Sequence, residues 1–357
     1  GYFDFPNGLL SEFCGPYAIA LDSSGSAMVT DATNGSIRKI DATGAVTTWA
    51  GNGTAGYQDG SGAAARFYYP TGLIADGGGG LIVSDAENHR IRYVSPSALV
   101  STLAGDGTRG FVNGPAASAQ FRELQGVVRD VSGNIYVADR ASHVIRRLTP
   151  AGIVDTYAGT GISGYRNGPA AQAQFASPFG LAIDAVGALY VAERDNHRIR
   201  RIDTAGNVTT LAGTGVAGYA DGPVGQAQFN SPYGLCLAPN GRDLYVADAG
   251  NNRIRRLTLG PLSTAGPSQQ GSRTLAYPNP ANSSTVLHFA TNPADAVAEV
   301  QLTTPAGNVL RTTTHSLRGQ GASTATVEVA LTDLPPGTYL YRIITGSAVQ
   351  QGRIVKN

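Results

Sequence analysis

The sequence predicts an all-β protein of 357 residues in which a β-propeller precedes a small β-sandwich. Three observations support this prediction. A unit of 54 or 55 residues occurs five times, a complete unit holds four short strand-like runs, and the repeat stops near residue 259. The 47 glycines and 16 tyrosines agree with it, because tight turns need glycine and strands favour aromatic residues.

An acidic residue ends the second strand-like run of each unit and makes the repeat visible. Successive acids lie 54 residues apart, and the last step is 55 because "NGRDLYVAD" has one extra residue. A fixed period of this length is the signature of an array of equal structural units. The five acids are Asp31, Asp85, Asp139, Glu193 and Asp248.

The fourth unit shows the strands most clearly. Its runs are 180–184, 187–193, 197–203 and 207–213, with the tight-turn sequences "DAVG" and "DTAG" between them. Four short antiparallel strands form one blade of a propeller, and stacked blades bury both faces of each sheet. A glycine-rich loop leads into the next blade, and its aromatic residues are expected to hold it against the scaffold.

Both ends of the array differ from its middle. Residues 1–18 resemble the loop 218–234 that leads into the fifth unit, and the fifth unit lacks a fourth strand-like run. Five blades are therefore predicted, and a sixth would need sequence upstream of Gly1. Without it, the last blade is expected to be open.

Residues 193–203, "ERDNHRIRRID", resemble a catalytic or metal-binding stretch when taken alone. The repeat contradicts that interpretation. His197 corresponds to His89 and His143, but also to Gly35 and Asn252. A residue that recurs in several units is expected to be structural, with the acid and asparagine shaping a turn and the arginines cross-linking strands or units.

The units resemble the NHL-repeat family. The family signature is a glycine followed by alternating hydrophobic residues, then "G-x-L-Y-V-A-D" and "N-x-R-I", and all five copies match it across residues 1–259, the first one loosely. The resemblance implies a propeller. It implies no single activity, since propellers serve binding, scaffolding and catalysis alike.

A different pattern follows residues 260–273, which are rich in Gly, Pro, Ser and Gln and are predicted to be a linker. Residues 274–357 contain five alternating runs that predict a small β-sandwich: 285–290, 298–304, 325–332, 338–345 and 351–357.

The tail resembles the C-terminal sorting domain (type A) of the type IX secretion system. The match rests on "YPNP", "VQLTTPAGNVL", "LTDLPPGTYLYRI" and the basic end "GRIVKN". It implies export through the periplasm and outer membrane of a Gram-negative, Bacteroidota-type bacterium, with the secretion machinery as partner. The motif residues are Tyr277, Pro278, Asn279, Pro280, Gly337 and Tyr339. The alternative is an ordinary adhesion-type sandwich.

Charge and composition exclude several partners. The net charge is +1 and no apolar run approaches the length of a membrane span, so neither a nucleic acid nor a spanning segment is predicted. Metal motifs of proper spacing are absent from the sequence, and no metal or cofactor is expected. Cys14 and Cys236 could form a disulfide if the first and fifth blades are neighbours.

Positions that differ between units are the best candidates for a ligand site. At the start of the innermost strand, where a loop enters one mouth of the central channel, the units have Tyr17, Thr71, Gln125, Phe179 and Tyr233. The third unit departs most. Its Glu123, Gln125 and Arg129 are predicted to form a polar cluster at that mouth, with Tyr17, Phe179 and Tyr233 as aromatic walls. The competing interpretation is a structural ion pair of Arg129.

We therefore expect a secreted or cell-surface propeller that binds a glycan, peptide or protein. The alternative is a secreted hydrolase or lyase, lactonase-like, with a divalent metal in the channel. That function would need several His, Asp, Glu or Asn side chains converging from the innermost strands, and those strands carry almost none. A third interpretation is a structural spacer without a ligand.

Overall fold

The structure is a computed structural model that describes residues 11–22, 24–223, 225–259, 275–277, 283–290, 297–304, 309–316, 324–345 and 349–356. The chain forms two compact units, Gly1–Ser263 and Thr264–Asn357. The predicted linker 260–273 lies outside the described residues.

The first unit contains five antiparallel sheets, here called blades I to V. Blade I consists of β1 (Pro16–Leu21), β2 (Ala27–Asp31), β3 (Ser36–Ile40) and β4 (Val46–Ala50). Blade II consists of β5 (Gly60–Ser61), β6 (Pro70–Ala75), β7 (Leu81–Asp85), β8 (Arg90–Val94) and β9 (Leu99–Ala104). Blade III consists of β10 (Gly114–Pro115), β11 (Leu124–Arg129), β12 (Ile135–Asp139), β13 (Val144–Leu148) and β14 (Ile153–Ala158).

Blade IV consists of β15 (Gly168–Pro169), β16 (Pro178–Ile183), β17 (Leu189–Glu193), β18 (Arg198–Ile202) and β19 (Asn207–Ala212). Blade V contains β20 (Pro232–Leu237), β21 (Asp243–Asp248) and β22 (Arg253–Thr258). The prediction of four strands per blade is confirmed for blades I to IV, and blades II to IV gain a two-residue strand from the preceding loop. In the described residues, blade V has three strands.

Glycines let the innermost strands of neighbouring blades approach closely. A Cβ atom added to Gly72 would lie 2.2 Å from the carbonyl oxygen of Gln125, and one on Gly180 would lie 2.1 Å from that of Tyr233. No side chain fits such a gap, so glycine is required there. Gly234 occupies the same position in blade V, but a Cβ there would meet only Ala247, at 3.7 Å.

Blades V and I each leave one face uncovered. Tyr190 and Ile199 of blade IV are 1% and 0% exposed, whereas their counterparts Tyr245 and Ile254 of blade V are 40% and 72% exposed. On blade I, Ile19 is 66% exposed. Within the described residues, the last blade is open on one side, as the sequence predicts.

A buried carboxylate organises every blade. In blade IV, Glu193 accepts hydrogen bonds from Arg200 Nη1 at 2.7 Å, Asn196 Nδ2 at 2.8 Å and the backbone N–H of Ala176 at 2.9 Å. Ala176 belongs to the loop that enters the blade, so the carboxylate holds loop and strands together. The corresponding ion pairs are Asp31–Arg38, Asp85–Arg92, Asp139–Arg146 and Asp248–Arg255.

The arginine of each ion pair also binds the loop that enters its blade. Arg200 donates to the carbonyl oxygens of Gln174 and Arg166, and its guanidinium lies between the rings of Tyr165 and Phe175, 4.9 and 5.2 Å from their centroids. Its planar group with several donors suits this cross-linking role. The prediction that the repeated arginines join strands and units is confirmed.

The repeated histidines occupy a backbone position that makes a tight turn. The φ angles of His89, His143 and His197 are 53°, 55° and 51°, and that of Asn252 is 52°. Nδ1 of His143 accepts the backbone N–H of Ser177 at 3.1 Å, and Nδ1 of His197 accepts that of Ser231 at 3.0 Å. Both contacts join one blade to the loop of the next, which is a structural role.

The second unit contains two sheets. One has the order β23 (Leu275–Tyr277), β24 (Ser284–Ala290), β27 (Thr324–Ala330), and the other has the order β26 (Val309–Ser316), β25 (Val297–Thr303), β28 (Gly337–Thr345), β29 (Val349–Lys356). Buried residues from both sheets form one core, which includes Leu287, Val300, Val327 and Ile343. The predicted β-sandwich is confirmed.

The strand β26 was not predicted. None of its residues is buried, and it pairs only with β25 at the edge of its sheet. Its Thr-rich sequence therefore shows no buried apolar face.

Candidate functional site

A cavity of about 670 Å³ lies between the innermost strands of the propeller and extends to Tyr245, Ala247 and Ile254 on the uncovered face of blade V. All five innermost strands line it, from Tyr17–Leu21 of blade I to Tyr233–Leu237 of blade V. Apolar and small side chains dominate its middle, whereas polar groups lie where the loops enter the innermost strands. We call this end the mouth.

Four aromatic rings meet at the mouth. The ring centroids of Phe179 and Tyr233 are 4.1 Å apart, those of Tyr17 and Tyr69 are 5.5 Å apart, and those of Tyr17 and Phe179 are 6.4 Å apart in a stacked arrangement. Phe179 is buried, but Tyr17 is 42% exposed. The rings thus present an aromatic face to solvent.

Three polar side chains of blade III lie at the same mouth. Glu123 forms an ion pair with Arg140, and Gln125 Nε2 donates to the same carboxylate oxygen of Glu123 at 3.2 Å. Gln125 is only 4% exposed. In the described part of the chain, two atoms of this group are buried without a hydrogen-bond partner: Gln125 Oε1 and Arg140 Nε. Arg140 shares this feature with Arg92, Arg146 and Arg200 of the blade scaffold, whose Nε atoms are also buried without a partner.

Local sequence explains why blade III differs. The innermost strands of the other blades begin with proline, whereas β11 begins with Leu124. The preceding residue has a positive φ in blades I, II, IV and V, for example 57° at Tyr69 and 50° at Ser177, but Glu123 is not among the residues with positive φ. The backbone of Glu123 accepts the N–H of Arg140 at 2.8 Å, which aligns the two side chains.

The Tyr17 hydroxyl is a hydrogen-bond donor at neutral pH. Burial raises the pKa of Tyr17 to about 12, and a hydrogen bond to Tyr69 acts in the same direction. On the other side of the cluster, the guanidinium of Arg194 lies 5.7 Å from the ring centroid of Tyr233.

Arg129 does not belong to this cluster, and the expectation that placed it there is wrong. Glu123 and Gln125 lie at the start of β11, and Arg129 is its last residue. At about 3.3 Å per residue, four residues separate Gln125 from Arg129 by roughly 13 Å. Arg129 is exposed, and its Nη1 donates to the carbonyl oxygen of Asp76 at 2.9 Å, which links blades III and II.

The remaining predicted residues do come together. Tyr17, Glu123, Gln125, Phe179 and Tyr233 all lie at the mouth. With Tyr69 and Arg140, which sequence reasoning missed, they form what we call the mouth cluster. Arg140 could have been found from the repeat, because it and Arg194 stand where the other three units have Ala32, Ala86 and Ala249.

The structure also describes the two cysteines, possible metal ligands and possible membrane-spanning helices. Cys14 and Cys236 are free thiols, Cys236 being exposed. Among the described residues, no group of three or more His, Cys, Asp or Glu side chains is arranged to hold a metal ion. No helix in that part of the chain is long and apolar enough to cross a membrane.

Comparison with known families identifies both units. The NHL repeat family matches residues 67–92 and 229–257, and the secretion system C-terminal sorting domain matches residues 275–357. The chain carries NHL repeats and a type IX sorting domain. The sorting domain directs export by type IX secretion to the cell surface or the medium.

Curated relatives match part of this chain. The chain is 31% identical over 283 residues to "Protein SUPPRESSOR OF QUENCHING 1, chloroplastic" of Arabidopsis thaliana, covering 58% of this chain and 26% of the relative. It is 42% identical over 96 residues to "NHL repeat-containing protein 2" of Gallus gallus, covering 26% of this chain and 13% of the relative. The chain thus spans about a quarter or less of these relatives.

Two solved structures share the fold of this chain. An "auxiliary nutrient binding protein" from Bacteroides thetaiotaomicron has a TM-score of 0.54 and 19% identity, with 70% of this chain and 60% of that chain covered. A protein of the same description from Bacteroides ovatus has a TM-score of 0.52 and 18% identity, with 67% and 57% covered. At these identities the similarity shows the fold alone.

The sorting-motif residues fall partly within the described chain. Tyr339 is buried in the sandwich core and its hydroxyl donates to the carbonyl oxygen of Pro335, while Gly337 begins β28. Tyr277 ends β23, and Pro278, Asn279 and Pro280 lie outside the described residues.

Proposed function

We propose that the propeller binds an extracellular glycan, peptide or protein at the mouth cluster once the sorting domain has delivered the chain. One observation carries the proposal. The units agree at the carboxylate and arginine of each blade, but they differ at the mouth, where aromatic rings lie beside the polar side chains of blade III. A concave site with an aromatic face and a few convergent polar groups is the usual form of a binding site.

The experiment uses the full chain immobilised on a sensor surface. Soluble polysaccharides and a random peptide library serve as probes. Tyr17→Ala should weaken binding of any retained probe about tenfold, because it removes the exposed aromatic face. Arg129→Ala is the matched control, since Arg129 lies at the other end of β11, and it should change affinity less than twofold. Equal losses in both variants would contradict the proposal.

We further propose that residues 1–259 and 274–357 are separate domains joined by 260–273. Two sets of sheets with their own cores support this division. In the native host, deletion of 274–357 should leave a folded propeller that stays in the periplasm. Thermal unfolding and fractionation measure the two properties. Arrival of the truncated chain at the surface or in the medium would contradict the separation of roles.

The metal-dependent alternative has no supporting observation among the described residues. The channel-lining segments are apolar or small, as in Ala18–Leu21 of blade I and Leu181–Ile183 of blade IV. We therefore propose no enzymatic function.

A further inference from the structure

We infer that Arg194, at the edge of the mouth cluster, binds the carboxylate of an acidic sugar whose ring packs on the aromatic rings of the mouth. The inference rests on the proposed function and names the ligand class for that site. It is carried by a comparison of blades III and IV, which have an arginine at the same position but differ in the residue that faces it.

Blades III and IV hold these arginines in the same way. Arg140 and Arg194 each follow the buried acid of their blade. In both blades the backbone N–H of the arginine donates to the carbonyl oxygen of the residue just before the innermost strand, which is Glu123 at 2.8 Å or Ser177 at 3.1 Å. The two side chains therefore start from equivalent points of the backbone at the mouth.

The two arginines differ in their partners. Arg140 forms an ion pair with Glu123, which comes from the loop that enters blade III. The equivalent residue of blade IV is Ser177, whose hydroxyl donates to Asp195 Oδ2 at 2.5 Å. Among the described residues, the carboxylate placed beside Arg194 is that of Asp195, and its Oδ1 lies 3.9 Å from Nε, too far for a hydrogen bond. Blade IV thus keeps the arginine without the carboxylate that blade III supplies.

The Arg194 side chain is accessible to a ligand. It is 35% exposed and Asp195 is 53% exposed, so water screens the attraction between them. A guanidinium presents a planar fork of donors, which matches a carboxylate through two parallel hydrogen bonds. Glu123 shows in blade III which group an arginine at this position takes, and in blade IV the ligand supplies that group.

The rings beside Arg194 favour a carboxylate that is attached to a sugar ring. Its guanidinium carbon lies 5.7 Å from the ring centroid of Tyr233, which lies 4.1 Å from that of Phe179. Tyr17 stacks on Phe179 and is 42% exposed. A uronic acid has C–H groups on the faces of its ring and a carboxylate on its rim, so it can contact the aromatic rings and the cation together. An acidic peptide offers its carboxylate on a flexible chain, which costs more entropy to order.

The test is electrophoresis of the full chain through native gels that contain one soluble polysaccharide each. The acidic probe is polygalacturonate, and its matched control is the same polymer with its carboxylates converted to methyl esters. A β-glucan is the neutral probe. Polygalacturonate should retard the protein, and the methyl ester should bind about tenfold more weakly, because it offers no charge to the guanidinium.

Two substitutions separate Arg194 from a general effect of charge. Arg194→Ala should lower the affinity for polygalacturonate about tenfold, because it removes the charge-assisted hydrogen bonds. The variant should fold, since the other three units have alanine at this position. Arg242→Ala removes the same charge at an exposed site between β20 and β21, and it should change the affinity less than twofold.

Each result decides the inference. Retardation by polygalacturonate that esterification and Arg194→Ala both weaken supports it, and esterification alone decides if Arg194→Ala does not fold. Equal effects of Arg194→Ala and Arg242→Ala, or equal binding of the ester, overturn it. Binding only to the β-glucan or to peptides, lost in Tyr17→Ala, overturns the carboxylate inference and leaves the proposed function standing. Absence of binding to every polysaccharide and peptide overturns both.

Discussion

The carboxylate–arginine pairs are the same in every blade, whereas the residues of the mouth cluster vary between blades. The pairs recur with nearly the same contacts in every blade, and in four blades a paired guanidinium such as Arg92 or Arg200 lies between two aromatic rings. The mouth cluster does not repeat in this way: blades I, II, IV and V contribute aromatic rings, whereas blade III contributes Glu123, Gln125 and Arg140. A group that recurs in every unit supports the fold of that unit, whereas a group found on one unit can define a single site. We therefore assign a structural role to the carboxylate–arginine pairs and propose a binding role for the mouth cluster.

Breaking one pair should have the largest effect on stability. Arg200→Met leaves the buried carboxylate of Glu193 without its cation and releases the loop carbonyls of Gln174 and Arg166. Loss of one partner of a buried ion pair costs about 3–5 kcal/mol. Denaturant unfolding of the full chain measures this loss, and Arg242→Met, at an exposed arginine, is the control. A loss below about 1 kcal/mol would show that the pairs do not support the blades.

A pair of glycine substitutions sharpens the comparison between covered and open blades. Gly180→Ala would place a Cβ 2.1 Å from the carbonyl oxygen of Tyr233 and should cost about 1–3 kcal/mol through overpacking. Gly234→Ala introduces no close contact with a neighbouring blade and should change stability by less than about 0.5 kcal/mol. Equal effects in the two variants would mean that blade V is covered like blade IV.

The histidines should have the smallest effect on stability and none on binding. His143→Asn keeps the turn, since Asn252 adopts the same backbone conformation in blade V, and should cost about 1 kcal/mol or less for the lost hydrogen bond to Ser177. Loss of binding in this variant with unchanged thermal stability would restore a functional role for the histidine.

The same variant should change the pH dependence of unfolding. Burial lowers the pKa of His143, so its contribution is present above the ordinary histidine pKa near 6.5 and is lost as the pH falls through the lowered value. A protonated Nδ1 can no longer accept the N–H of Ser177. Denaturant unfolding between pH 7.5 and 5 should therefore show a smaller acid loss of stability in His143→Asn than in the unchanged chain. A larger loss in the variant would contradict this assignment.

Most of the fold follows from the sequence because it depends on a period. The acid and the arginine seven residues later recur in all five units, the asparagine three residues after the acid recurs in four, and their hydrogen bonds explain why those spacings are kept. The strand β26 escaped prediction because an edge strand without buried residues shows no apolar alternation. Its arginine, Arg311, instead pairs with Asp333 after β27.

The sequence predicted the position of some candidate site residues but misplaced Arg129, and the reason is geometric. Comparing units located the mouth residues correctly, because equivalent positions in the repeat lie on one ring. Arg129 was misplaced because closeness along the chain was taken for closeness in space, although a strand carries its last residue to the opposite end of the channel. The unpartnered atoms of Gln125 and Arg140 depend on side-chain orientation, which the sequence pattern does not contain.

Hydrogen–deuterium exchange of the full chain, with and without a retained polysaccharide or peptide, tests the division between scaffold and site most directly. The account predicts protection confined to the segments around Tyr17, Tyr69, Glu123–Gln125, Arg140 and Phe179, with little change around Arg129 and the loop carbonyls bound by Arg200. Protection at the Arg129 end of the channel or along the outer loops, with none around Gln125, would contradict it.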